Sequence, residues 1–221
     1  MYKRQAQAEA FRTLRTNLLY GSRHDRIRSM VVGSAMAGEG KTLTAANLSV
    51  TLAHQGLEVV LVDCDLRKPR VDEIFGIERK PGMTELLLGK ASMEECIRYF
   101  DPVPGLRILP AGTLPPNPTE LLGGVRTREL LRILRERFDM VILDSPPLAG
   151  GADSAILGAA TDGVVLVVRA GETEMDAVRQ AARQLHTVGA RLLGAVVNDP
   201  RGEVQKYDGY YYHYNYYGKK E

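Results

Sequence analysis

Residues 29–42 read Ser-Met-Val-Val-Gly-Ser-Ala-Met-Ala-Gly-Glu-Gly-Lys-Thr, an apolar run that leads into a glycine-rich turn and a Lys-Thr pair. The pattern predicts a strand, then a turn, then a helix that begins at Thr42. Glycine at positions 38 and 40 lets consecutive backbone N–H groups point at one anion, and the helix N-terminus adds its dipole. The segment from Ala35 to Thr42 fits a Walker A phosphate-binding loop in which Ala35 replaces the first glycine.

This loop predicts a site for ATP and Mg²⁺. Lys41 is expected to reach the β- and γ-phosphates, and the Thr42 hydroxyl is expected to bind Mg²⁺. The residues expected to bind the nucleotide here are Ala37, Gly38, Glu39, Gly40, Lys41, Thr42 and Leu43. The alternative is a glycine-rich turn with a chance lysine, and the placement between strand and helix argues against it.

Two other apolar runs end in acids. Val59–Asp63 is followed by Cys64 and Asp65, and Met140–Asp144 resembles a Walker B strand. Because ligands of open α/β sheets lie beyond the carboxyl ends of the strands, the three acids are expected near the phosphate loop.

The three acids have distinct expected roles. Asp65 and Asp144, with Thr42, are the expected Mg²⁺ ligands, and Asp63 is the preferred proton acceptor for an attacking hydroxyl. If the strand continued to Asp65, Asp63 and Asp65 would point to one face, and their roles could be exchanged. For any single acid the alternative is a solvated strand end.

The order of elements predicts an α/β fold, a doubly wound and mainly parallel sheet of the P-loop NTPase class. Apolar runs without polar alternation are typical of central parallel strands covered on both faces. The predicted strands are Ser29–Gly33, Val59–Asp63, Leu106–Leu109, Met140–Asp144, Val164–Val168 and Leu193–Val197. The predicted helices are Thr42–Gln55, Arg126–Phe138 and Glu174–Val188.

Local signals add three boundary predictions. Thr173 and Asp176 suggest a capping box at the start of the last helix, and Gly189 suggests its end. The Pro- and Gly-rich stretch Pro110–Gly124 is predicted to be a surface loop.

Composition restricts the class of protein. The chain has 221 residues, enough for one α/β domain, and its net charge of +2 gives no support for a nucleic-acid partner. Its two cysteines, Cys64 and Cys96, suggest neither a disulfide framework nor a metal site, so a cytoplasmic location is expected. No apolar run reaches the roughly 20 residues that a membrane-spanning helix needs. We expect a domain over residues 1–206 and a flexible tail over residues 207–221.

The tail contains seven of the ten tyrosines of the chain. They are Tyr207, Tyr210, Tyr211, Tyr212, Tyr214, Tyr216 and Tyr217. Aromatic side chains in a tail do not contribute to a core, so they need another explanation. One is a segment that binds a partner or carbohydrate; the other is a set of phosphoacceptor sites.

Several motifs together resemble the bacterial tyrosine kinases of capsule and exopolysaccharide synthesis, over nearly the whole chain. The resemblance rests on the following segments: Asp63-Cys-Asp-Leu-Arg-Lys-Pro-Arg70 as the A-prime motif, Pro115-Pro-Asn-Pro-Thr-Glu-Leu-Leu122, Asp144-Ser-Pro-Pro147, Ala195-Val-Val-Asn198, Glu9-Ala-Phe-Arg12-Thr-Leu-Arg15 and the tyrosine tail. The resemblance implies that Asn198 contacts adenine. Arg67 is expected to balance charge near the transferred phosphoryl group or to anchor the next subunit.

The resemblance implies an Mg-ATP-dependent kinase that phosphorylates its own tyrosine tail. It also implies a ring-shaped homo-oligomer, with Glu9, Arg12 and Arg15 on a helix of about residues 5–20 in the contact. The alternative for these three residues is a solvated helix face with an i,i+3 ion pair. The implied partners are a membrane-anchored activator or polysaccharide co-polymerase segment and a tyrosine phosphatase. The kinase would then lie at the inner face of the membrane, through a partner or a missing N-terminal membrane part.

Two other functions are less consistent with these residues: a partition-type switch ATPase and a non-catalytic ATP-binding scaffold. Partition-type switch ATPases carry a lysine five residues before the P-loop lysine, and this chain has Met36 there. A non-catalytic ATP-binding scaffold would not need Lys41, Thr42 and three acids. The family's usual proline is Ala37 here, which does not remove a phosphate contact because proline is not a ligand.

Overall fold

The computed structural model describes residues 2–21, with side chains from residue 8, and residues 27–199. The tyrosine tail predicted at residues 207–221 lies outside the described residues.

Helices connect most of the strands, and three short helices follow one another after the second strand. The helices are α1 (Tyr2–Tyr20), α2 (Lys41–Ala53), α3 (Val71–Phe75), α4 (Met83–Leu87), α5 (Met93–Cys96), α6 (Pro118–Gly123), α7 (Val125–Arg137), α8 (Asp153–Ala159) and α9 (Met175–Thr187). The strands are β1 (Ser29–Ser34), β2 (Val59–Asp63), β3 (Arg98–Tyr99), β4 (Leu106–Leu109), β5 (Met140–Asp144), β6 (Val164–Arg169) and β7 (Leu192–Asn198).

Within the described residues the strands form one sheet in the order β3-β4-β2-β5-β1-β6-β7. The short β3 is antiparallel to β4, and the other neighbours are parallel. Asp63 at the end of β2 is in register with Asp144 at the end of β5, which is in register with Val32 of β1. The parallel order therefore brings the ends of β1, β2 and β5 to one edge of the sheet.

Both faces of the sheet are covered, as the unbroken apolar strands predict. Val31, Val60 and Leu143 point into a core closed by α7, α8 and α9. Val32 and Leu61, on the opposite face, pack in a second core with α2. The predicted doubly wound, mainly parallel α/β fold is confirmed.

The six predicted strands are all present, and β2, β4 and β5 have the predicted bounds. The predicted loop Pro110–Gly124 is wrong in its second half, because α6 begins at Pro118. Proline is favoured in the first turn of a helix, where its missing N–H leaves no bond unmade, so the Pro-rich signal marked a helix start there.

The predicted capping box at the start of α9 is also wrong. The N-cap residue is Glu174, and its side chain makes no capping hydrogen bond. The Thr173 hydroxyl is engaged elsewhere: it accepts the Arg169 N–H at 3.0 Å and donates to the Glu39 carboxylate. The predicted end of the helix is confirmed, since Gly189 follows it with a φ of +71°.

Helix α1 is attached to the body of the domain along one side. Leu14, Leu18 and Leu19 pack against the core that contains α2. Glu9 and Arg12 are exposed and form an ion pair with each other. Arg15 departs from the expected outward stripe: it is half-buried, and its Nη1 lies 3.5 Å from the Thr51 carbonyl oxygen of α2.

Both cysteines are free thiols inside the protein. Burial raises the pKa of Cys64 well above its usual value, with the nearby aspartates adding to the effect. Among the described residues, no group of three or more His, Cys, Asp and Glu side chains is arranged to hold a metal ion by itself. Nor does any helix among them have the length and apolar character that crossing a membrane requires.

Candidate active site

The glycine-rich turn between β1 and α2 depends on two glycines with positive φ. Gly38 has a φ of +83° and Gly40 a φ of +93°, a region that side chains with a Cβ rarely adopt. A Cβ on Gly40 would lie 2.3 Å from Asn198 Nδ2, whereas the space beside Gly38 is open. Gly40 therefore permits both the turn and the close approach of the end of β7.

Glu39 is buried, with 3% of its surface exposed, and its side chain stabilises the turn. Its carboxylate accepts the Met36 N–H at 2.7 Å and the Thr173 hydroxyl from the segment before α9. The Asn198 amide donates to the Glu39 carbonyl at 2.9 Å. The turn is thus fastened both to the segment after β6 and to the end of β7.

A cavity of about 370 Å³ opens on the outer side of this turn. Met36 and Gly38 line one wall, and Arg169 and Ala177 line the other. Arg169 Nη1 lies 3.3 Å from the Gly38 carbonyl oxygen. The turn therefore lines an open cavity, and its backbone is fixed by hydrogen bonds to Arg169 and Glu39.

Lys41, the first residue of α2, lies among the acids at the strand ends. Its Nζ is 3.0 Å from Asp65 Oδ2, 3.9 Å from Asp144 Oδ1 and 3.4 Å from the Thr42 hydroxyl. The structure therefore brings together the residues predicted for phosphate and Mg²⁺ binding from three separate parts of the chain.

Asp144 is completely buried at the end of β5. Neither of its carboxylate oxygens has a hydrogen-bond partner among the described residues. Burial raises the pKa of Asp144 to about 6, against the opposing effect of the Lys41 charge. Buried polar atoms are normally paired, so these two oxygens are unusual.

The local charge fits a divalent cation. Asp65 and Asp144 share one lysine, Lys41. Asp63 lies close enough that, after the effect of burial, the charge of Asp144 raises its pKa, so three largely buried acids meet one ammonium group. Carboxylate and hydroxyl oxygens are the ligands that Mg²⁺ prefers, and it commonly takes one or two carboxylates together with phosphate oxygens. Thr42, Asp65 and Asp144 can supply such a set, and a cation would offset their excess negative charge.

Asp63 and Asp65 make different contacts: Asp65 pairs with Lys41, and Asp63 is bonded by backbone N–H groups. β2 ends at Asp63, so the alternation of the strand does not extend to Asp65. Asp63 is fully buried and accepts backbone N–H bonds from Asp65 at 3.1 Å, Arg70 at 3.2 Å and Val71 at 3.1 Å. Burial, followed by the charge of Asp144, raises the pKa of Asp63 to about 8.

Arg67 is held by two residues that sequence reasoning missed. Its Nε lies 2.8 Å from Asp153 Oδ2, and its Nη2 lies 3.0 Å from the Thr119 hydroxyl. The Asp153 side chain is 1% exposed and also accepts the Thr119 hydroxyl. Thr119 lies inside the Pro115–Leu122 motif, so the sequence contained a signal that could have drawn attention to it. Asp153 is the first residue of α8, a helix that the sequence analysis did not predict.

The remaining predicted residues divide into three groups. Asn198, at the end of β7, lies against the glycine-rich turn through its bond to Glu39. Glu9, Arg12 and Arg15 lie on α1 and make the contacts described above. The seven predicted phosphoacceptor tyrosines are outside the described residues.

The chain resembles known proteins over most of its length. Residues 28–195 match the AAA domain family. Tyrosine-protein kinase YwqD of Bacillus subtilis is 41% identical over 214 residues, which are 97% of this chain and 87% of that protein. The EpsB protein of Ralstonia solanacearum is 36% identical over 94% of this chain, which spans only 28% of that longer protein.

A solved structure agrees with these relatives. The kinase domain of the Escherichia coli tyrosine kinase ETK superposes with a TM-score of 0.84 and 30% identity. The match covers 88% of this chain and 76% of that one.

The contact between Gly40 and Asn198 yields a test of the turn. Gly40→Ala is expected to weaken binding of a fluorescent ATP analogue at least about tenfold, because the new methyl group would displace the Asn198 amide from its bond to the Glu39 carbonyl and so loosen the turn that faces the phosphates. Gly56→Ala is the matched control: Gly56 also has a positive φ, of +91°, but open space around it. Both variants should lose about 1–2 kcal/mol of stability from the left-handed backbone alone. Equal nucleotide affinity in the two variants would contradict this account.

Proposed function

This chain belongs to the bacterial tyrosine-protein kinases, and from that premise we propose that it transfers the γ-phosphoryl group of Mg-ATP to tyrosines of its own C-terminal segment. The observation that carries the proposal is the buried cluster of Lys41, Asp65 and Asp144 beside the glycine-rich turn. We propose further that this activity regulates the synthesis and export of capsule or exopolysaccharide, as the resemblance implies.

The proposed reaction requires positioning more than covalent chemistry. The bond from the γ-phosphorus to the β–γ bridging oxygen breaks, a bond to the tyrosine oxygen forms, and ADP leaves with the bridging oxygen. Lys41 and the backbone N–H groups of residues 38–42 hold the phosphates. Thr42, Asp65 and Asp144 would hold Mg²⁺, which when bound neutralises charge on the phosphates. Asn198 is proposed to contact the adenine base.

The tyrosine proton must go to a nearby base, and two acids are candidates. Asp63 is enclosed beneath the loop that follows β2, and both of its oxygens already accept backbone N–H bonds. Among the residues that the structure describes, Asp65 accepts a single backbone N–H bond, from Lys68 through Oδ1, and its Oδ2 contacts Lys41, the residue that would hold the phosphates. We therefore favour Asp65 as the group that polarises the hydroxyl and Asp63 as the support of the loop.

Arg67 is proposed to act beside this cluster. Its guanidinium is fixed by Asp153 and Thr119, and the charge of Asp65 contributes to the raised pKa of Arg67 after the larger effect of Asp153. A fixed cation two residues after Asp65 can balance charge near the transferred group.

Lys41→Met provides the first test. After incubation with Mg-ATP, with and without a candidate activator segment, the tryptic peptide of residues 207–219 is examined by mass spectrometry. Phosphate is expected on this peptide in the wild type, and its amount should fall at least about 100-fold in Lys41→Met, because the lysine neutralises charge on the reacting phosphates.

Other outcomes of this experiment favour the other two functions. ATP hydrolysis without phosphate on the peptide would favour a partition-type switch ATPase. ATP binding with neither hydrolysis nor phosphotyrosine would favour a non-catalytic scaffold. Free phosphate measured alone does not separate the kinase from the switch.

Separate asparagine variants distinguish the two candidate bases. Asp65→Asn is expected to lower phosphoryl transfer by about 100-fold or more. Its amide oxygen can still accept the Lys68 N–H, but the buried pair with Lys41 is lost, so transfer is compared at a temperature where both variants are folded. Asp63→Asn is expected to lower the melting temperature, because an amide cannot accept all the backbone N–H bonds that the carboxylate accepts. The measurements are initial rates, nucleotide affinity and thermal unfolding. A stable Asp63→Asn protein without transfer, beside an active Asp65→Asn protein, would reverse the assignment.

We propose that α1 contributes to a ring-shaped homo-oligomer through Glu9, Arg12 and Arg15. Glu9 and Arg12 are available because they are exposed, with side chains 66% and 59% accessible. Exposed ion pairs are weak, so the pair within the helix can be exchanged for one between subunits at little cost. Arg15 would have to leave its contact with Thr51 to take part. Partners proposed from the resemblance are a membrane-anchored activator segment, which would place the kinase at the inner membrane face, and a tyrosine phosphatase.

Sedimentation velocity tests the oligomer. Arg12→Glu is expected to lower the sedimentation coefficient of the unphosphorylated protein, because a like charge replaces the attraction to Glu9 of the next subunit. Arg132→Glu is the control, since Arg132 also forms exposed ion pairs within one helix, with Glu129 and Glu136. The phosphorylated wild type should also sediment more slowly, since each phosphate adds close to two negative charges. The ring assignment fails if all four samples sediment alike.

A further inference from the structure

The backbone of residues 66–70, here called the cationic loop, is fixed by hydrogen bonds to the carboxylates of Asp65 and Asp63. The Asp65 carboxylate accepts the Lys68 N–H at 3.0 Å, and the Asp63 carboxylate accepts the Arg70 N–H at 3.2 Å. Pro69 is buried between them. Two acids of the candidate active site therefore fix the backbone from which the side chains of this cationic loop project.

Three positive side chains leave this rigid backbone: Arg67, Lys68 and Arg70 are all exposed. Among the described residues, neither the Lys68 ammonium nor the Arg70 guanidinium has a hydrogen-bond or ion-pair partner. Arg67 is anchored through Nε and Nη2, so in the described part of the chain its Nη1 donors remain available. Most other arginines of the domain are paired with acids or carbonyl oxygens, which makes this group of open donors distinctive.

The position of the loop sets what it can contact. Asp65 directly precedes it and lies 3.0 Å from Lys41. A peptide whose acceptor hydroxyl meets Asp65 would have its neighbouring residues within a few residues' length of the loop that directly follows Asp65. In an extended peptide a residue two positions away lies about 7 Å from the acceptor, within the reach of long side chains.

We propose that the cationic loop recognises a phosphotyrosine next to the acceptor tyrosine, so that each phosphorylation of the tyrosine segment favours the next. This proposal rests on the proposed autokinase function. The segment from Tyr210 to Tyr217 has acceptors at spacings of one and two residues, so a first phosphate always has a nearby tyrosine.

Charge complementarity favours a phosphotyrosine as the ligand of the cationic loop. Without phosphate, residues 207–221 contain two acidic and two lysine side chains, Asp208 and Glu221 against Lys219 and Lys220, and offer the loop little net charge. A phosphotyrosine adds close to two negative charges and three acceptor oxygens. Arginine and lysine side chains bind phosphate through charge-assisted hydrogen bonds, and open donors on a fixed backbone lose little freedom when they do so.

Two synthetic peptides test the proposal. Both have the sequence of residues 207–219 with Tyr214 as the single acceptor and phenylalanine at the other tyrosine positions, except that one carries phosphotyrosine at position 212. Binding of each fluorescein-labelled peptide is measured by anisotropy with a non-hydrolysable ATP analogue present, and transfer to Tyr214 is measured with Mg-ATP. The proteins compared are the wild type, Lys68→Ala/Arg70→Ala, and the charge-matched control Lys90→Ala/Arg183→Ala, whose exposed cations lie elsewhere.

In the wild type and the control, the phosphopeptide is expected to bind about tenfold more tightly than the unmodified peptide and to have a correspondingly lower KM. In Lys68→Ala/Arg70→Ala this difference should disappear, while binding and turnover of the unmodified peptide stay unchanged.

Equal affinity of the wild type for the two peptides would overturn the proposal, as would a preference retained in Lys68→Ala/Arg70→Ala. Absence of transfer to either peptide would instead count against the autokinase function. The binding arm remains decisive in that case, since it needs no turnover.

Discussion

The ion pair between Lys41 and Asp65 joins the glycine-rich turn after β1 to the loop after β2. Its 3.0 Å geometry is possible only because parallel strands bring both segments to the same edge of the sheet. A buried pair gains little net stability by itself, since desolvation offsets much of the attraction. Its importance here is structural, because it places Lys41 between Asp65 and Asp144. The carboxylates outnumber the ammonium group, so the cluster favours the binding of a cation beside Lys41.

The second support of the site is a set of bonds that keep the turn from moving independently of its neighbours. Glu39 faces inward and connects the turn to Thr173, while Asn198 connects it to β7. Met36, at the position where partition-type ATPases carry a lysine, is about half exposed at the mouth of the cavity. A neutral thioether there cannot provide a cation to a second subunit, which agrees with the kinase relatives.

Sequence reasoning was most successful where one physical factor dominated. The bounds of β2 and β5 follow from unbroken apolar runs that end in aspartate, and Pro110 marks the end of β4. The grouping of Asp63, Asp65 and Asp144 follows from where parallel strands end. It failed where contacts distant in the chain decide the local structure. Thr173 bonds to Glu39, 134 positions earlier, and so does not cap α9. The direction of Asp63 depends on backbone N–H groups of a loop whose path cannot be read from alternation, and Arg67 is oriented by Asp153, 86 positions later.

The enclosure of both thiols has a practical consequence for following this protein in solution. Cys64 and Cys96 are each 0% exposed, and the chain has no other cysteine. A cysteine introduced at an exposed position, such as Glu94→Cys on α5, would therefore react with a maleimide dye far faster than either native thiol. Site-specific fluorophores can be attached without first removing the native cysteines, so energy transfer between such a label and one in the tail can report the distance between domain and tail throughout a reaction.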